Sequence, residues 1–587
     1  VLRLADLLRR CQSLSSGKLA HGLIAEQGFR YQSQTFVSNF LIEMYGRLGS
    51  PRDARSVFDR MRSRNTYSWN ILLKVYGQNA MPREASCVFD IMPSRDVVSW
   101  TAIIMILSRH GYGAKATSLF FEMLLQCITP NKITFLCLLE ACSCISSLVQ
   151  CQEIHSIILL YAYEFDEVVG TALITMYDKC GRAEAAKKAF ECILNPDIAS
   201  WNAMIGALSS NNMGKEAVSL FCLMLVKGVN PDQVSFVCIL NACFSLCEVL
   251  NMHSIIVKVG LEEDIKINNN LINIYGKHSS LVDAGAVFLR MPVRTVISWN
   301  AILTTFAVNK YGEKALQILH QMQREGINLD KVTFLGALGA CTSLASLETG
   351  QEVHSALVES GYESDAMIEN SMIAMYGSCH SLHDAKMMFD KSSRSDPVTW
   401  SSIIAVYSHA NQAEEALNLF YRMHIERVEP NKAIFVCVID ACAILGAHDR
   451  GLMAHAYAVE MTYDQDMIVQ NALVNLYGKC GSLPDARSMF DSIAEPDDIS
   501  WASMMGAYSS CGCSNEVLDL FYRIWHVKSG EPDNACFTCV LLACNHDGRV
   551  DESVYLFMSM IKNYRLLGNK DQYLCMVDLL GRSGCLD

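Results

Sequence analysis

The sequence predicts an all-α fold, an α-solenoid superhelix of tandem two-helix (helix-turn-helix) repeats. Apolar residues recur at helical spacing, as in WNAMIGAL from Trp201, where positions i, i+3, i+4 and i+7 are apolar. Neither helix of such a pair buries its apolar stripe alone, so successive repeats must stack. A Trp preceded by Ser or Thr also recurs at intervals of 101, 98, 101 and 101 residues, at Trp100, Trp201, Trp299, Trp400 and Trp501.

Each of these intervals divides into three related motifs, of 35, 35 and 31 residues where the interval is 101. Every motif reads as two short helices, the second ending in sequences such as KG and NPD. The recurring Trp lies one turn into a first helix, with apolar partners three and four residues later. We therefore interpret it as a packing residue between neighbouring repeats and not as part of a cofactor site.

Composition excludes several classes of protein. The 587 residues are 51% apolar with only 12 Pro and 34 Gly, which indicates a folded chain, and no apolar run reaches membrane-spanning length. We expect a soluble protein without a membrane partner. The net charge of −13 excludes a generally phosphate-seeking surface but does not exclude nucleic acid. The 25 Cys are dispersed through apolar helical segments, which favours a reducing compartment over a disulfide framework.

The strings SWNAMI, NALVNLYGKCGSLPDARSMFD and ACTSLASLETGQEVHSAL resemble pentatricopeptide repeat (PPR) proteins of land plants. The alternation of three motif types resembles the PLS subclass, in which classic, long and short motifs follow one another. The resemblance covers essentially the whole chain. The final segments LLACNHDGRVDESVYLFMSM and QYLCMVDLLGRSGCLD resemble motifs that close such arrays before a C-terminal extension. We expect a chain truncated at both ends, since it begins and ends inside a repeat.

The resemblance divides the chain into eight segments. These are a partial long-type repeat (1–34), two short-type repeats (35–96), four classic/long/short triplets (97–197, 198–295, 296–396 and 397–497), closing classic and long-type repeats (498–569) and a truncated final short-type repeat (570–587).

The family likeness implies sequence-specific binding of single-stranded RNA, one base per repeat, with the N-terminal end of the array toward the RNA 5′ end. Unstacked bases present edges that two or three side chains per repeat can read. In this family the fifth and last residues of a repeat read the base, and the second residue sandwiches it. The second residues here are mostly apolar, although Lys266 departs from this; those taken as sandwiching residues are Val98, Ala199, Ile297, Val398 and Ile499.

Carried over position by position, the resemblance assigns a base to most classic and short repeats. Uracil is expected opposite Asn70 with Asp96, Asn202 with Asp232, Asn300 with Asp330, Asn370 with Asp396 and Asn471 with Asp497. Adenine is expected opposite Thr101 with Asn131, Ser401 with Asn431 and Thr538 with Asn569, and guanine opposite Thr171 with Asp197. A pyrimidine is expected opposite Asn39 with Asn65 and Asn269 with Thr295. The implied target resembles 5′-Y-U-A-n-G-U-n-Y-U-n-U-A-n-U-3′, with n opposite long motifs.

An Asp or Asn just before a helix is also an ordinary N-cap. The long motifs separate the two roles in part, because their fifth residues are apolar while their last residues remain Asp. These fifth residues are Leu136, Val237, Leu335 and Val436, and the last residues are Asp166, Asp264, Asp365 and Asp466. We interpret these four Asp as caps or turn residues. The last residue of the other repeats then has at most two roles, capping and base reading, and the fifth residue is the better indicator of base reading.

A zinc deaminase site would need H-x-E with P-C-x-x-C. His424 and Glu426 match H-x-E, but no P-C-x-x-C follows them. Cys536 with Cys539 is the only suggestive C-x-x-C. Recurring His and Cys occupy equivalent packing sites far apart along the array, at His21, His155, His253, His354, His455, Cys142, Cys243, Cys341 and Cys442. We expect no catalytic residues, no metal and no cofactor in this chain.

We therefore interpret the chain as the RNA-targeting part of an organellar RNA-processing factor, in a mitochondrion or plastid, most simply for C-to-U editing. Editing or processing proteins are the expected partners besides RNA, and no small-molecule substrate is expected. Two alternatives stay open at the level of sequence. One is a protein-binding scaffold of the tetratricopeptide (TPR) type, and the other is a PPR factor for RNA cleavage, splicing or stability.

Overall fold

The computed structural model describes residues 8, 11–26, 35–145, 147–392, 396–527, 533–564 and 566–583. Within these ranges the chain forms 34 α-helices and no strand. The all-α repeat fold predicted from the apolar periodicity is therefore confirmed. The chain divides into two compact units, Val1–Pro292 and Val293–Asp587.

The first unit contains seventeen of the described helices, and from α2 onward each even number is the first helix of a repeat. The helices are α1 Leu14–Glu26, α2 Thr35–Arg47, α3 Pro51–Asp59, α4 Thr66–Gln78, α5 Pro82–Asp90, α6 Val97–Arg109, α7 Gly113–Leu125, α8 Lys132–Ile145, α9 Leu148–Leu160, α10 Glu167–Lys179, α11 Ala183–Cys192, α12 Ile198–Ser210, α13 Gly214–Val226, α14 Gln233–Ala242, α15 Leu246–Val259, α16 Ile265–Lys277 and α17 Leu281–Arg290.

The second unit continues the same alternation over its described residues. Its helices are α18 Val296–Val308, α19 Gly312–Arg324, α20 Lys331–Leu344, α21 Leu347–Glu359, α22 Ala366–Ser378, α23 Leu382–Lys391, α24 Pro397–His409, α25 Ala413–Ile425, α26 Lys432–Leu445, α27 His448–Glu460, α28 Met467–Lys479, α29 Leu483–Ser492, α30 Asp498–Ser510, α31 Ser514–Val527, α32 Asn534–Asp547, α33 Val550–Lys562 and α34 Lys570–Ser583.

Within each unit the first helices form a layer in which each packs on the first helix of the next repeat. Helix α6, for example, contacts its own second helix α7 and the following first helix α8, and α7 also contacts α8. Small residues permit this approach. A Cβ added at Gly377 in α22 would lie 2.2 Å from Val406 Cγ2 in α24. Each repeat thus completes the core of its neighbour, as stacking requires.

The recurring Trp residues pack as the sequence predicts. Trp100, Trp201, Trp299 and Trp400 are at most 1% exposed. Four Trp rings meet a Phe ring of the preceding second helix edge to face, with centroid distances of 4.7–4.9 Å, in the pairs Phe89–Trp100, Phe190–Trp201, Phe389–Trp400 and Phe490–Trp501. The Trp thus fixes the seam between consecutive repeats.

The recurring His residues are also structural. In each of five seams His Nδ1 lies 2.7–2.9 Å from a Tyr hydroxyl, in the pairs His21–Tyr45, His155–Tyr177, His253–Tyr275, His354–Tyr376 and His455–Tyr477. Burial lowers the pKa of all five imidazoles. Since each pair lies in its own seam, the five His do not share one site. No described helix has the length and apolar character needed to cross a bilayer.

Trp400→Ala should destabilise the second unit strongly. Loss of a fully buried aromatic ring costs ~3–5 kcal/mol, because the cavity left in the seam collapses only in part. Chemical denaturation followed by circular dichroism measures the loss. Val398→Ala, in the same helix at a side chain that is 49% exposed, is the matched control and should change stability little. Equal effects of the two variants would contradict the packing role of Trp400.

The His–Tyr pairs should make stability fall with acidification. Their folded pKa values lie below the ordinary 6.5, so the unfolded chain takes up protons first. The stabilisation is complete above about pH 6.5, the ordinary imidazole pKa, and is lost as the pH falls through the folded values. Melting temperatures between pH 7.5 and 5 measure this slope. His455→Gln should make it shallower, whereas His546→Gln, a His without such a pair, should leave it unchanged.

Candidate nucleic-acid interface

The structure brings the fifth residue of several repeats against the last residue of the same repeat. Each last residue lies immediately before the next first helix, which itself packs on the helix carrying the fifth residue. The Asn Nδ2 atom donates to the Asp Oδ1 atom at 3.0 Å in Asn202–Asp232, 2.9 Å in Asn300–Asp330, 3.3 Å in Asn70–Asp96 and 3.4 Å in Asn471–Asp497. Residues 26 or 30 positions apart in sequence therefore share one site.

The last residue is at the same time the N-cap of the following helix. Asp232 Oδ1 accepts hydrogen bonds from the Ser235 backbone N–H at 2.9 Å and from the Asn202 amide at 3.0 Å, and the Ser235 hydroxyl oxygen lies 3.0 Å away. Partial burial opposes ionisation of Asp232, but these hydrogen bonds outweigh it and hold its pKa below the ordinary value. Asp232 is therefore charged at neutral pH, and its Oδ2 atom stays available as an acceptor.

The pairs in which the fifth residue is Thr present different hydrogen-bonding groups. Thr101 Oγ1 lies 2.7 Å from Thr134 Oγ1, and either hydroxyl can be the donor. In both arrangements the Thr101 oxygen keeps a lone pair as an acceptor, beside the amide N–H donors of Asn131. Thr171 directs its hydrogen into the protein, to the Glu167 carbonyl at 2.8 Å. Its lone pairs then lie in the same site as the carboxylate of Asp197.

The second residues of the first helices form a recurrent set of exposed apolar side chains. Val98 is 58% exposed, Ile297 68%, Val398 49% and Ile499 63%, and Ala199 is exposed as well. An apolar side chain turned to solvent at the same position of each repeat is not explained by the core. Flat, apolar bodies such as nucleobases are a suitable partner for such positions.

One groove is lined by second, fifth and last residues together. It has a volume of about 650 Å³ between α4 and α6 and is lined by Tyr67 and Val98, the second residues of two consecutive repeats, and by Asn70 and Asp96, the fifth and last residues of one. Arg109 lines it too, as does Lys74, which forms an ion pair at 3.2 Å with Glu43 of the same groove. The groove thus combines two apolar walls with a polar end and cationic side chains.

The long repeats differ in the way that their sequence predicts. Asp166 accepts from the backbone N–H groups of Val168 and Val169 and forms an ion pair with Lys132 at 2.8 Å. Asp365 and Asp466 form the same ion pair with Lys331 and Lys432, at 2.7 and 3.1 Å, and Asp264 accepts instead from Gln233. The interpretation of these four Asp as caps is confirmed, and in three of them a Lys neutralises the carboxylate.

Other predicted pairs are not joined by a direct hydrogen bond. Asn39 and Asn65 form none, Ser401 turns its hydroxyl to the Val398 carbonyl of its own helix, and Asp396 accepts from the Val398 N–H instead of from Asn370. Gln572 lies between Thr538 and Asn569 and bonds to both. Asn431 caps through the Ile434 N–H, while Asn269 and Thr295 belong to different units. These assignments stay predictions.

The third residue of the following repeat also belongs to this site, and sequence reasoning missed it. The Ser235 hydroxyl donates to Asn202 Oδ1 at 2.6 Å, and the Thr333 hydroxyl to Asn300 Oδ1 at 2.7 Å. The signal was present in the Ser or Thr that precedes the recurring aromatic residue. Its function became visible only when consecutive repeats were stacked.

The sequence fragments considered for zinc chemistry have other neighbours. His424 packs edge to face on Tyr457, and Glu426 accepts from Arg422. Cys536 is buried in α32, and burial raises the pKa of Cys539 to about 11. Among the described residues no group of three His, Cys, Asp or Glu side chains has the arrangement of a metal site.

Family models match segments that together make up about half of the chain. One described as the PPR repeat family matches residues 196–245. One described as the PPR repeat matches residues 36–66, 67–97, 98–128, 297–327, 398–428, 471–495, 499–526 and 535–564.

Among solved structures, the crystal structure of the pentatricopeptide repeat protein PPR10 from maize is similar, with a TM-score of 0.61 at 18% identity over 99% of this chain and 95% of that one. PPR10 in complex with an 18-nt psaJ RNA element has a TM-score of 0.54 at 15% identity, over 95% of this chain and 91% of that one. At these identities the likeness shows the fold alone, an all-α repeat array.

Curated relatives from Arabidopsis thaliana are more similar in sequence. A mitochondrial pentatricopeptide repeat-containing protein is 30% identical over 99% of this chain and 80% of its own length, and a second member is 32% identical over 100% and 86%. A chloroplastic member is 31% identical over 93% of this chain, which spans 60% of that relative. Sequence identity at this level over such lengths, together with the repeat matches, shows that the chain belongs to the pentatricopeptide repeat family.

Proposed function

We propose that this chain binds a defined single-stranded RNA, one base per repeat, and thereby selects sites for organellar RNA processing. The observation that carries the proposal is the direction of the hydrogen bonds around the fifth and last residues. In each joined pair the protein occupies some donors and acceptors and leaves others for a base edge.

These remaining groups match the bases that the family likeness implies. Thr101 offers an acceptor and Asn131 a donor, which complement the amino group and N1 of adenine. Thr171 and Asp197 both offer acceptors, which complement the N1–H and amino group of guanine. Asn202 offers an amide N–H and Asp232 a free carboxylate oxygen, which complement a carbonyl and the N3–H of uracil. Such edges are accessible only in unpaired nucleotides, which favours single-stranded RNA.

The groove between α4 and α6 supports the same mode of binding. Tyr67 is 63% exposed and Val98 58% exposed, and both face a space that ends at Asn70 and Asp96. A base held between the two apolar side chains would bury their exposed area, and stacking contacts of this kind contribute ~1–3 kcal/mol per base. Base contacts of this type let an acidic protein bind RNA, with a salt dependence shallower than that of a basic-patch binder.

The structure supports the PLS subclass through the lengths of its second helices. In the repeats taken as short these helices have 9 or 10 residues, as in α3, α5, α11, α17, α23 and α29. Second helices of the other repeats, such as α7 and α9, have 13 or 14 residues. The regular return of the shorter form follows the proposed triplets.

We assign the chain to a mitochondrion or plastid because similar relatives carry mitochondrial or chloroplastic in their names. Within such an organelle we propose site recognition for C-to-U editing. The closing motifs near residues 541–587 resemble those that precede an editing extension, and catalysis would come from another domain or a recruited protein. Loss of editing at one organellar site in plants lacking the protein is the test. Intact editing with altered cleavage or splicing would overturn this assignment.

Thr171→Asn should change the base preferred by that repeat from guanine to uracil, because an amide N–H replaces a hydroxyl acceptor beside Asp197. The shift should be about tenfold or more, since base-specific hydrogen bonds discriminate by ~1–3 kcal/mol. Fluorescence anisotropy with the proposed RNA and its G→U variant at that position measures it.

Leu136→Asn is the control, because the last residue of that long repeat, Asp166, is engaged by Lys132. Leu136→Asn should change the base preference of its repeat less than Thr171→Asn changes that of its own. Equal affinity of the unaltered protein for the proposed RNA and a scrambled RNA would contradict sequence-specific binding altogether.

A further inference from the structure

The Asn–Asp pairs of this chain fall into two classes that differ in one hydroxyl hydrogen. In both classes a Ser or Thr stands at the third position of the following first helix and is fully buried, as Ser99, Ser235, Thr333 and Ser500 are. The classes differ in the acceptor of its hydroxyl.

In the first class the hydroxyl reaches the fifth residue. The Ser235 hydroxyl lies 2.6 Å from Asn202 Oδ1 and 3.0 Å from Asp232 Oδ1, and the Thr333 hydroxyl lies 2.7 Å from Asn300 Oδ1 and 2.9 Å from Asp330 Oδ1. In both, the shorter contact is with the amide oxygen of the fifth residue. Both ends of each amide are then bonded, because Nδ2 donates to the Asp carboxylate at 3.0 and 2.9 Å. We call Asn202–Asp232 and Asn300–Asp330 the locked pairs.

In the second class the hydroxyl turns to the cap. Ser99 donates to Asp96 Oδ1 and Ser500 to Asp497 Oδ1, both at 2.7 Å. The Oδ1 atoms of Asn70 and Asn471 are buried without a hydrogen-bond partner, and their Nδ2 contacts with the carboxylate lengthen to 3.3 and 3.4 Å. We call Asn70–Asp96 and Asn471–Asp497 the open pairs.

We propose that Ser235 and Thr333 are positioning residues for base recognition, and that locked pairs discriminate between bases more strictly than open pairs. This inference rests on the proposed RNA-binding function. In a locked pair the amide oxygen is already occupied, so the amide offers only its N–H to a base. In an open pair no hydroxyl holds the amide, and its buried, unbonded oxygen gains a hydrogen bond when the amide turns that oxygen toward a donor on the base. Bases with a donor at that point are then tolerated as well.

The measurement is base discrimination at single positions. A set of RNAs carries each of the four bases opposite Asn70, Asn202, Asn300 or Asn471, and fluorescence anisotropy gives the ratio of affinities for the preferred and second-best base. The ratio should be larger opposite the locked pairs. Ser235→Ala and Thr333→Val, the latter nearly isosteric, should lower the ratio at their own base about fivefold, as loss of one hydrogen bond predicts, and leave the other positions unchanged.

Ser99→Ala is the matched control. It removes an equally buried hydroxyl that bonds to a cap and not to a reading amide, so the ratio opposite Asn70 should stay the same. Thermal melting of all three variants separates lost stability from lost discrimination.

The outcomes distinguish the inference from the function on which it rests. An unaltered protein without base preference at any of the four positions would overturn the proposed function. A protein that discriminates, but whose ratio opposite Asn202 is unchanged in Ser235→Ala and opposite Asn300 in Thr333→Val, would overturn the positioning role alone. So would an equal loss of discrimination in Ser99→Ala.

Discussion

The stacking of each repeat on the next is the interaction on which the rest of this structure depends. A two-helix repeat has too little apolar surface to fold alone, and here it is completed by the Trp–Phe contact and the His–Tyr hydrogen bond at its seams. The same stacking places the last residue of one repeat beside its own fifth residue, because the last residue caps a helix that packs directly against the fifth. Core packing therefore creates the polar sites between repeats.

This arrangement explains why one Asp can both cap a helix and contribute to a site for a base. Asp330 caps α20 through the Thr333 N–H and at the same time accepts from the amide of Asn300. Both hydrogen bonds end on one carboxylate oxygen, Oδ1, and leave the other available. In the long repeats the capping residue is also Asp, but Lys331 or its equivalent forms an ion pair with it. The carboxylate is then not available to a base. The difference depends on the first residue of the same repeat, which is Lys331 in the repeat that ends at Asp365, and on the apolar character of the fifth residue.

Much of this organisation was predictable from the sequence, because residues with the same role recur at the same position of each repeat. The helical spacing around Trp201 gave the two-helix unit, and an apolar fifth residue such as Leu136 beside a retained Asp166 identified the cap. Which group donates and which accepts in each hydrogen bond was not predictable from the sequence. Whether Thr101 donates or accepts depends on Thr134, 33 residues later, and whether Ser235 bonds to Asn202 or only to Asp232 depends on distances between stacked helices.

The sequence by itself determined the repeat period, the all-α class and the packing role of the Trp. These follow from local spacing, since helices and caps depend on residues a few positions apart. Only the tertiary structure decided which residues of neighbouring repeats are bonded to each other. Asn70 and Asn202 are the same residue at the same repeat position, yet one amide oxygen is unbonded and the other is held by a hydroxyl. The reason is that a hydroxyl has one hydrogen to donate, and its acceptor is chosen by distances that only packing sets.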